Sequence, residues 1–356
     1  MPAEVLPCVV RGSILLQQAG RDASRTWGTE LRPISVYIWY PTDATSLSPM
    51  LYLDYLKTEN AWLDKANDEQ MITRYLDVQL RGQNLPDGSQ SKVTEALEHC
   101  KTTAFRNAPV ADGRFPVLLF SPGGTTPGYL YSILAEYLAA RGFIVVAYSS
   151  IGKAPGERWF LDEGGPQDHV DDMQLIVNRL TSDLPEADMS RIVCLAISAS
   201  GISQTLLFLH DFPMKLMISL DSGLGNTYAI DMLKEFPEFS FSKITVPYVH
   251  VVGLGPARYD VEKTRVFYDS IAAKNKLFIS FTHLSHHHFN PFGGIVPPLL
   301  AGTLDREVWE SFKEMSRTLV LVVRESLTDG TADFDRVKSV LSGLPAERLK
   351  YVSVEP

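Results

Sequence analysis

The sequence predicts an α/β protein with a mostly parallel central sheet, helices on both faces, antiparallel N-terminal strands and a helical insertion. Three observations lead there. From about Phe115 onward, short apolar runs alternate with amphipathic segments, which is the pattern of βα units. Ahead of that region, Val5 to Leu16 and Ile34 to Tyr40 read as antiparallel strands, the second placing Ile34, Val36 and Ile38 on one face. Between the two halves lies Thr42 to Ala108, far longer than the usual connection of about 2–6 residues, so it carries structure of its own.

The elements follow in chain order. In the insertion, Leu51 to Leu63 and Met71 to Leu80 are rich in Leu, Trp and Tyr and read as helices, either a peripheral decoration or a lid or pocket wall. Phe115 to Ser121 reads as a buried strand. The next segment puts Leu130, Ile133, Leu134, Tyr137 and Leu138 on one helical face, with Gly142 where a helix terminates. Phe143 to Tyr148 is a strand, and Asp168 is placed to cap a helix whose stripe is Val170, Met173, Ile176, Val177 and Leu180. Arg191 to Ile197 is a strand followed by a helix from about Gly201 to Phe212. Leu216 to Leu220, Val246 to Val252 and Lys276 to Phe281 are further strands. A long helix from about Asp305 to Leu327 turns Val308, Trp309, Phe312, Met315, Leu319 and Val323 inward.

Composition narrows the function classes. The 356 residues are 45% hydrophobic and 21% charged, enough for a large core and incompatible with disorder. A net charge of −9 with no basic run argues against a nucleic-acid partner. The densest apolar stretch, Thr318 to Val323, is far short of the roughly 20 residues of a membrane span. Met1 to Val5 lacks a basic n-region and a long apolar h-region, so the expectation is a soluble, cytoplasmic protein; a chain trimmed of its leader has the same start. Cys8, Cys100 and Cys194 are too few and too scattered for a disulfide framework or a zinc knuckle.

Chemistry concentrates at four places. In Ala196-Ile-Ser198-Ala-Ser200-Gly201, a serine sits where a buried strand turns into a helix between small neighbours, either a nucleophile elbow or a helix N-cap. Ser121-Pro-Gly-Gly124-Thr125 is a glycine-rich turn after the third strand. Acyl transfer needs two backbone N–H groups aimed at the developing oxyanion; Ala199 supplies one and Gly124 the other. Asp221 ends the strand after the elbow helix, where parallel sheets present functional groups. After Phe281, four of the chain's eight histidines crowd into His283 to His288. Ser198, Asp221 and His286 stand in the order nucleophile, acid, base of the α/β-hydrolases. His286 hangs from the loop just beyond the strand tip, whereas His283 is too near the strand end and His287 and His288 lie where the chain turns away.

These residues resemble the α/β-hydrolases of the platelet-activating-factor acetylhydrolase and dienelactone-hydrolase type, from about Ile34 to Phe289. Phe120-Ser-Pro-Gly-Gly124 resembles the family's F-S-H-G-x turn, which carries the oxyanion role to Gly124. Leu138-Ala-Ala-Arg-Gly-Phe-Ile-Val-Val-Ala147 resembles its helix-to-strand link, Leu220-Asp221 its L-D, and Ser285-His286-His-His-Phe289 its H-x-x-F base motif. Ala196, Ile197 and Pro122 stand where the family has Gly, His and His. The resemblance implies the α/β-hydrolase fold and a serine carboxylic-ester hydrolase that forms an acyl-enzyme, with no cofactor and no metal.

Thr125, Tyr129, Trp159, Phe160 and Phe289 fall on segments expected to rim the strand tips, suited to a small ester or lactone with an apolar or aromatic group. Lys153 and Arg158 are candidates for meeting an anionic group. The competing readings are an acyltransferase or cyclase using the same acyl-enzyme and a non-catalytic ligand-binding protein on a hydrolase scaffold. A metal hydrolase is disfavoured, because adjacent histidines seldom point at one ion and no H-E-x-x-H occurs.

Overall fold

The computed structural model describes residues 8–17, 26–27, 30–31, 33–44, 46–59, 85–124, 126–150, 164–225, 227–255, 261–328, 334–345 and 347–354. Its frame is a ten-stranded sheet. At one flank β1 (Cys8–Gln17) pairs antiparallel with β4 (Pro33–Pro41), leaving β2 (Thr26–Trp27) and β3 (Glu30–Leu31) as a separate hairpin between them. Antiparallel pairing also joins β4 to β7 (Ile144–Tyr148). Beyond β7 lie β6 (Phe115–Ser121), β8 (Ala187–Ile197), β9 (Met214–Leu220), β10 (Tyr248–Gly253) and β11 (Lys276–Phe281), all parallel to their neighbours. The far edge is β12 (Leu349–Val354), antiparallel to β11.

These strands form because both of their faces are covered, which suits near-continuous β-branched and aromatic runs. In β6, Leu118 and Phe120 enter one apolar cluster while Val117 and Leu119 enter the other. The first cluster lies under α3 (Ser132–Ala139) and α10 (Arg306–Thr328), which contribute Leu134, Leu138, Phe312, Met315 and Leu319. Gly142, with φ 90°, ends the turn after α3, a conformation open to glycine without a Cβ clash. The second cluster lies under α4 (Gly165–Asp183), α5 (Ser200–Leu209), α6 (Thr227–Lys234) and α7 (Val261–Ser270). Between β11 and α10 come α8 (Pro291–Gly294) and α9 (Val296–Ala301), and α11 (Asp335–Ser342) precedes β12.

Two expectations are corrected. Asp168 does not cap α4: Gly164 is the N-cap, and Asp168 lies in the first turn, 6% exposed. Pro166 explains the shift, because its fixed φ and missing N–H favour the first helical turn. The 42–108 insertion is not wholly helical either. It contains α1 (Tyr52–Glu59) and α2 (Ser89–His99), but Ala104–Arg106 forms β5, parallel to β1 at the sheet edge. Residues 60–84 lie outside the described part, and with them the helix expected over Met71 to Leu80.

The insertion is sewn to the body through one carboxylate. Glu136 of α3 accepts from the Tyr55 hydroxyl (2.7 Å), the Thr103 N–H (2.9 Å) and the Thr103 hydroxyl (2.7 Å). Tyr55 in turn accepts from the Trp39 indole N–H at 2.9 Å. Phe292 of α8 lies between Tyr52 of α1 and Tyr129, with ring centroids 5.7 and 5.6 Å away. Thus the insertion packs against the segment that follows the histidine loop.

Candidate active site

Sheet order runs β9-β8-β6-β7, so the chain reverses its winding between β6 and β8. At such a reversal the connections leave in opposite directions, opening a crevice at the carboxyl ends of the strands. Ser198 follows β8 and the Gly123–Gly124 turn follows β6, on opposite lips of that crevice.

Ser198 occupies the left-handed region at φ 54°, a costly position for a residue with a Cβ. The turn is held there by its surroundings. Ser200, fully buried, accepts the Ile197 N–H (3.2 Å) and lies 2.8 Å from the Ser121 carbonyl and 2.7 Å from that of Ile197. Its hydroxyl therefore braces β6, β8 and α5 together and is occupied by the backbone. Gly223 donates its N–H to the Ser198 carbonyl at 2.6 Å, tying the elbow to the turn after β9. At Gly201 a Cβ would stand 2.6 Å from the Ser222 hydroxyl, so only glycine lets α5 lie this close to that turn.

The glycine turn approaches the serine closely. A Cβ on Gly123 would stand 3.1 Å from Ser198 Cβ and 3.7 Å from its Oγ. Gly123 spends its own N–H on the Tyr131 hydroxyl (3.1 Å), and Tyr131 packs on Phe120 at 4.5 Å between centroids. That fixes the turn and leaves Gly124 exposed beside it. Ala199 is the N-cap of α5, so its amide stands at the start of the helix, where N–H groups lack partners within the helix.

Asp221 is also left-handed, at φ 47°, and is 3% exposed. Its main-chain N–H donates to the Val251 carbonyl (2.6 Å), Oδ1 accepts from the Gly253 N–H (3.1 Å), and Oδ2 lies 2.6 Å from Nδ1 of His286. A carboxylate against Nδ1 favours the tautomer with the proton there, which makes Nε2 the accepting nitrogen. His286 opens a single 3-10 turn, His286–Phe289. The Gly255 N–H donates to the Leu284 carbonyl at 2.7 Å, and a Cβ at Gly253 would collide with that same carbonyl. The loop bearing His286 can lie on β10 only because those positions carry no side chain.

The neighbouring histidines do other work. His288 Nδ1 accepts the Ser285 N–H at 2.9 Å and closes a capping box. Burial, with a smaller contribution from His287, lowers its pKa to about 4, so it stays neutral near pH 7. His287 is exposed and His283 half-buried. Of the expected pocket residues, Tyr129 and Phe289 are 1% and 0% exposed and belong to the core cluster. Thr125, Trp159 and Phe160 lie outside the described residues, as do Lys153 and Arg158. Sequence reasoning did not find the bracing by Ser200 or the Tyr131–Gly123 contact; a second small polar residue after the elbow serine was the only signal of the first.

Among the described residues no group of His, Cys, Asp and Glu is arranged to hold a metal ion, and no helix is long and apolar enough to cross a membrane. A second buried serine–histidine contact follows β7: Ser150 Oγ lies 2.9 Å from His169 Nε2, with both side chains within 2% of full burial.

The family of platelet-activating factor acetylhydrolase, isoform II, matches residues 23–164, less than half of the chain. A ferulic acid esterase from Streptomyces cinnamoneus superposes with a TM-score of 0.66 at 19% identity, covering 99% of this chain and 98% of its own. At that identity the likeness speaks for the fold. No curated protein matches the sequence. The fold is that of the α/β-hydrolases, and the resemblance seen in the sequence to the platelet-activating-factor acetylhydrolases holds over the matched residues.

Proposed function

We propose that the chain hydrolyses a small carboxylic ester or lactone through an acyl-enzyme on Ser198, with His286 as general base and Asp221 as its orienting acid. The observation that carries this is the 2.6 Å contact between His286 Nδ1 and Asp221, held by a loop that lies on the carboxyl end of β10, in a site with a left-handed serine turn. Ser198 Oγ attacks the ester carbonyl while its proton passes to His286 Nε2. The oxyanion that forms accepts N–H groups from Ala199 and Gly124. Collapse expels the alcohol, which takes the proton from His286; water then repeats the sequence and releases the acid. Asp221 stays ionised throughout and stabilises the imidazolium.

The fixed acid–base pair favours this reading over a non-catalytic scaffold, because a buried carboxylate is held against the imidazole and a serine is held at φ 54° in the same crevice, where strained backbone gathers at functional sites. The names of the similar proteins suggest two substrate classes, short acyl esters and aryl-acid esters. Initial rates on p-nitrophenyl esters of graded chain length, with lactones and an aryl-acid ester alongside, test the proposal. Saturable hydrolysis lost in Ser198→Ala supports it; turnover of none of them, or turnover indifferent to Ser198→Ala, refutes it.

A further inference from the structure

On the outer side of α3 a cavity of about 590 Å³ opens between that helix, α10 and two stretches of the insertion. None of Ser198, Asp221, His286 or the Gly123–Gly124 turn lines it. Its size falls within the range of small-molecule sites, about 300–1,000 Å³, and like them it is mostly apolar with a few charged groups. Tyr52, Phe105, Ile133, Tyr137, Trp309 and Phe312 make the walls.

The charged groups are not alike. Glu136 is 4% exposed and accepts three hydrogen bonds from Tyr55 and Thr103, so its charge is accounted for by the protein. Arg141 is the opposite case. Its guanidinium lies over the Tyr137 ring, 3.3 Å from the centroid, and donates to the Tyr137 carbonyl at 2.8 Å. Arg324 donates to the Arg141 carbonyl at 3.0 Å, and both Arg324 and Arg317 are close enough to depress the Arg141 pKa, after burial. Among the described residues none of these three arginines has a carboxylate within ion-pair distance. Lys313 is the second cation of the lining; it is paired with Glu310 at 2.7 Å and sits 5.6 Å from the Trp309 ring. An apolar cavity thus has in its wall a guanidinium with no carboxylate within ion-pair distance among the described residues, backed by two further arginines outside the lining, and such a field draws an anion.

We infer that this cavity binds an amphipathic monocarboxylic acid, its apolar body between α3 and α10 and its carboxylate on Arg141. The site needs no residue of the proposed triad and goes beyond the esterase reading. It is nonetheless connected to that site, because α3 begins directly after Tyr131, whose hydroxyl holds the Gly123 amide.

Decanoate titrated calorimetrically into the wild-type chain tests this, with Ile133→Trp to fill the cavity and Arg141→Gln to remove the charge. Decyltrimethylammonium serves as the cationic counterpart, and fluorophosphonate labelling of each variant reports folding independently of the cavity. The expected result is one decanoate site, lost in Ile133→Trp and weakened about tenfold or more in Arg141→Gln, with the cation binding at least about tenfold more weakly. Failure of decanoate to bind, binding that survives both substitutions in labelled, folded protein, or equal affinity for the cation each overturns the inference. A chain that binds decanoate as described but takes no fluorophosphonate label retains this site and loses the esterase reading instead.

Discussion

Two carboxylates, Asp221 at the strand tips and Glu136 on α3, are buried to almost the same degree, at 3% and 4% exposure, and the protein uses them oppositely. Glu136 gives its two oxygens to three donors from the insertion, so it fastens one part of the chain to another. Asp221 gives one oxygen to a backbone N–H and reserves the other for the imidazole of His286. Its backbone is left-handed, while that of Glu136 lies within a regular helix. The difference teaches that burial alone does not mark a functional acid. What sets the proposed catalytic acid apart is an oxygen held for a group that can change its protonation.

The sharpest way to break this contrast is to substitute each acid by its amide. Asp221→Asn should lower kcat by about 10⁴-fold with the fold intact, because the amide holds the wrong imidazole tautomer. Glu136→Gln should leave kcat within about tenfold, roughly 1.4 kcal/mol, but lower stability by about 1–3 kcal/mol, since Gln turns a donor toward groups that already donate. Ester hydrolysis rates and urea midpoints on the same two variants decide it. Equal kinetic damage from both would abolish the distinction drawn here.

The histidines offer a second, smaller contrast. His286→Ala should be as inactive as Asp221→Asn, whereas His288→Ala should retain activity within about tenfold and lose about 1 kcal/mol with its cap. A folded His288→Ala without activity, beside an active His286→Ala, would exchange their roles.

The last contrast is the effect of pH on stability. His250, fully buried, and His288 both have pKa values lowered to about 4, in each case first by burial. An unfolded histidine titrates near 6.5, so between roughly pH 4 and 6.5 the unfolded chain binds more protons and stability rises with pH, by up to about 1.4 kcal/mol per pH unit for each group. Urea midpoints measured from pH 7 down to pH 4.5 should fall, and His250→Phe should flatten the fall. An unchanged slope in His250→Phe would show that this residue is not a source of the acid sensitivity.

Much of this arrangement was legible in the sequence. Buried parallel strands such as Phe115–Ser121 and Lys276–Phe281 announce themselves as unbroken apolar runs, and the candidate order emerges because Ser198 and Asp221 directly follow such strands and His286 lies in the loop after another. What escaped depended on tertiary contact. Three residues, Ala104–Arg106, carry no periodicity of their own and become a strand only by pairing with β1. β12 is a short edge strand after the last helix and the Gly343 and Pro345 turn, and its place in the sheet comes from antiparallel pairing with β11. Ser200 reads like a second candidate nucleophile until its hydroxyl is seen committed to the Ser121 and Ile197 carbonyls. Tyr129 and Phe289 read like pocket aromatics because sequence gives their distance from a strand tip but not the direction of their side chains, which point into the core.

The most direct test concerns which serine reacts. Three are candidates by position: Ser198 in the strained elbow, Ser200 two residues on, and Ser150 against His169. Wild-type chain treated with a fluorophosphonate should gain the mass of one adduct, which peptide mapping places on Ser198. The adduct should persist in Ser200→Ala and Ser150→Ala and vanish in Ser198→Ala. A label on Ser200 or Ser150, or one that survives Ser198→Ala, would contradict the account at its centre.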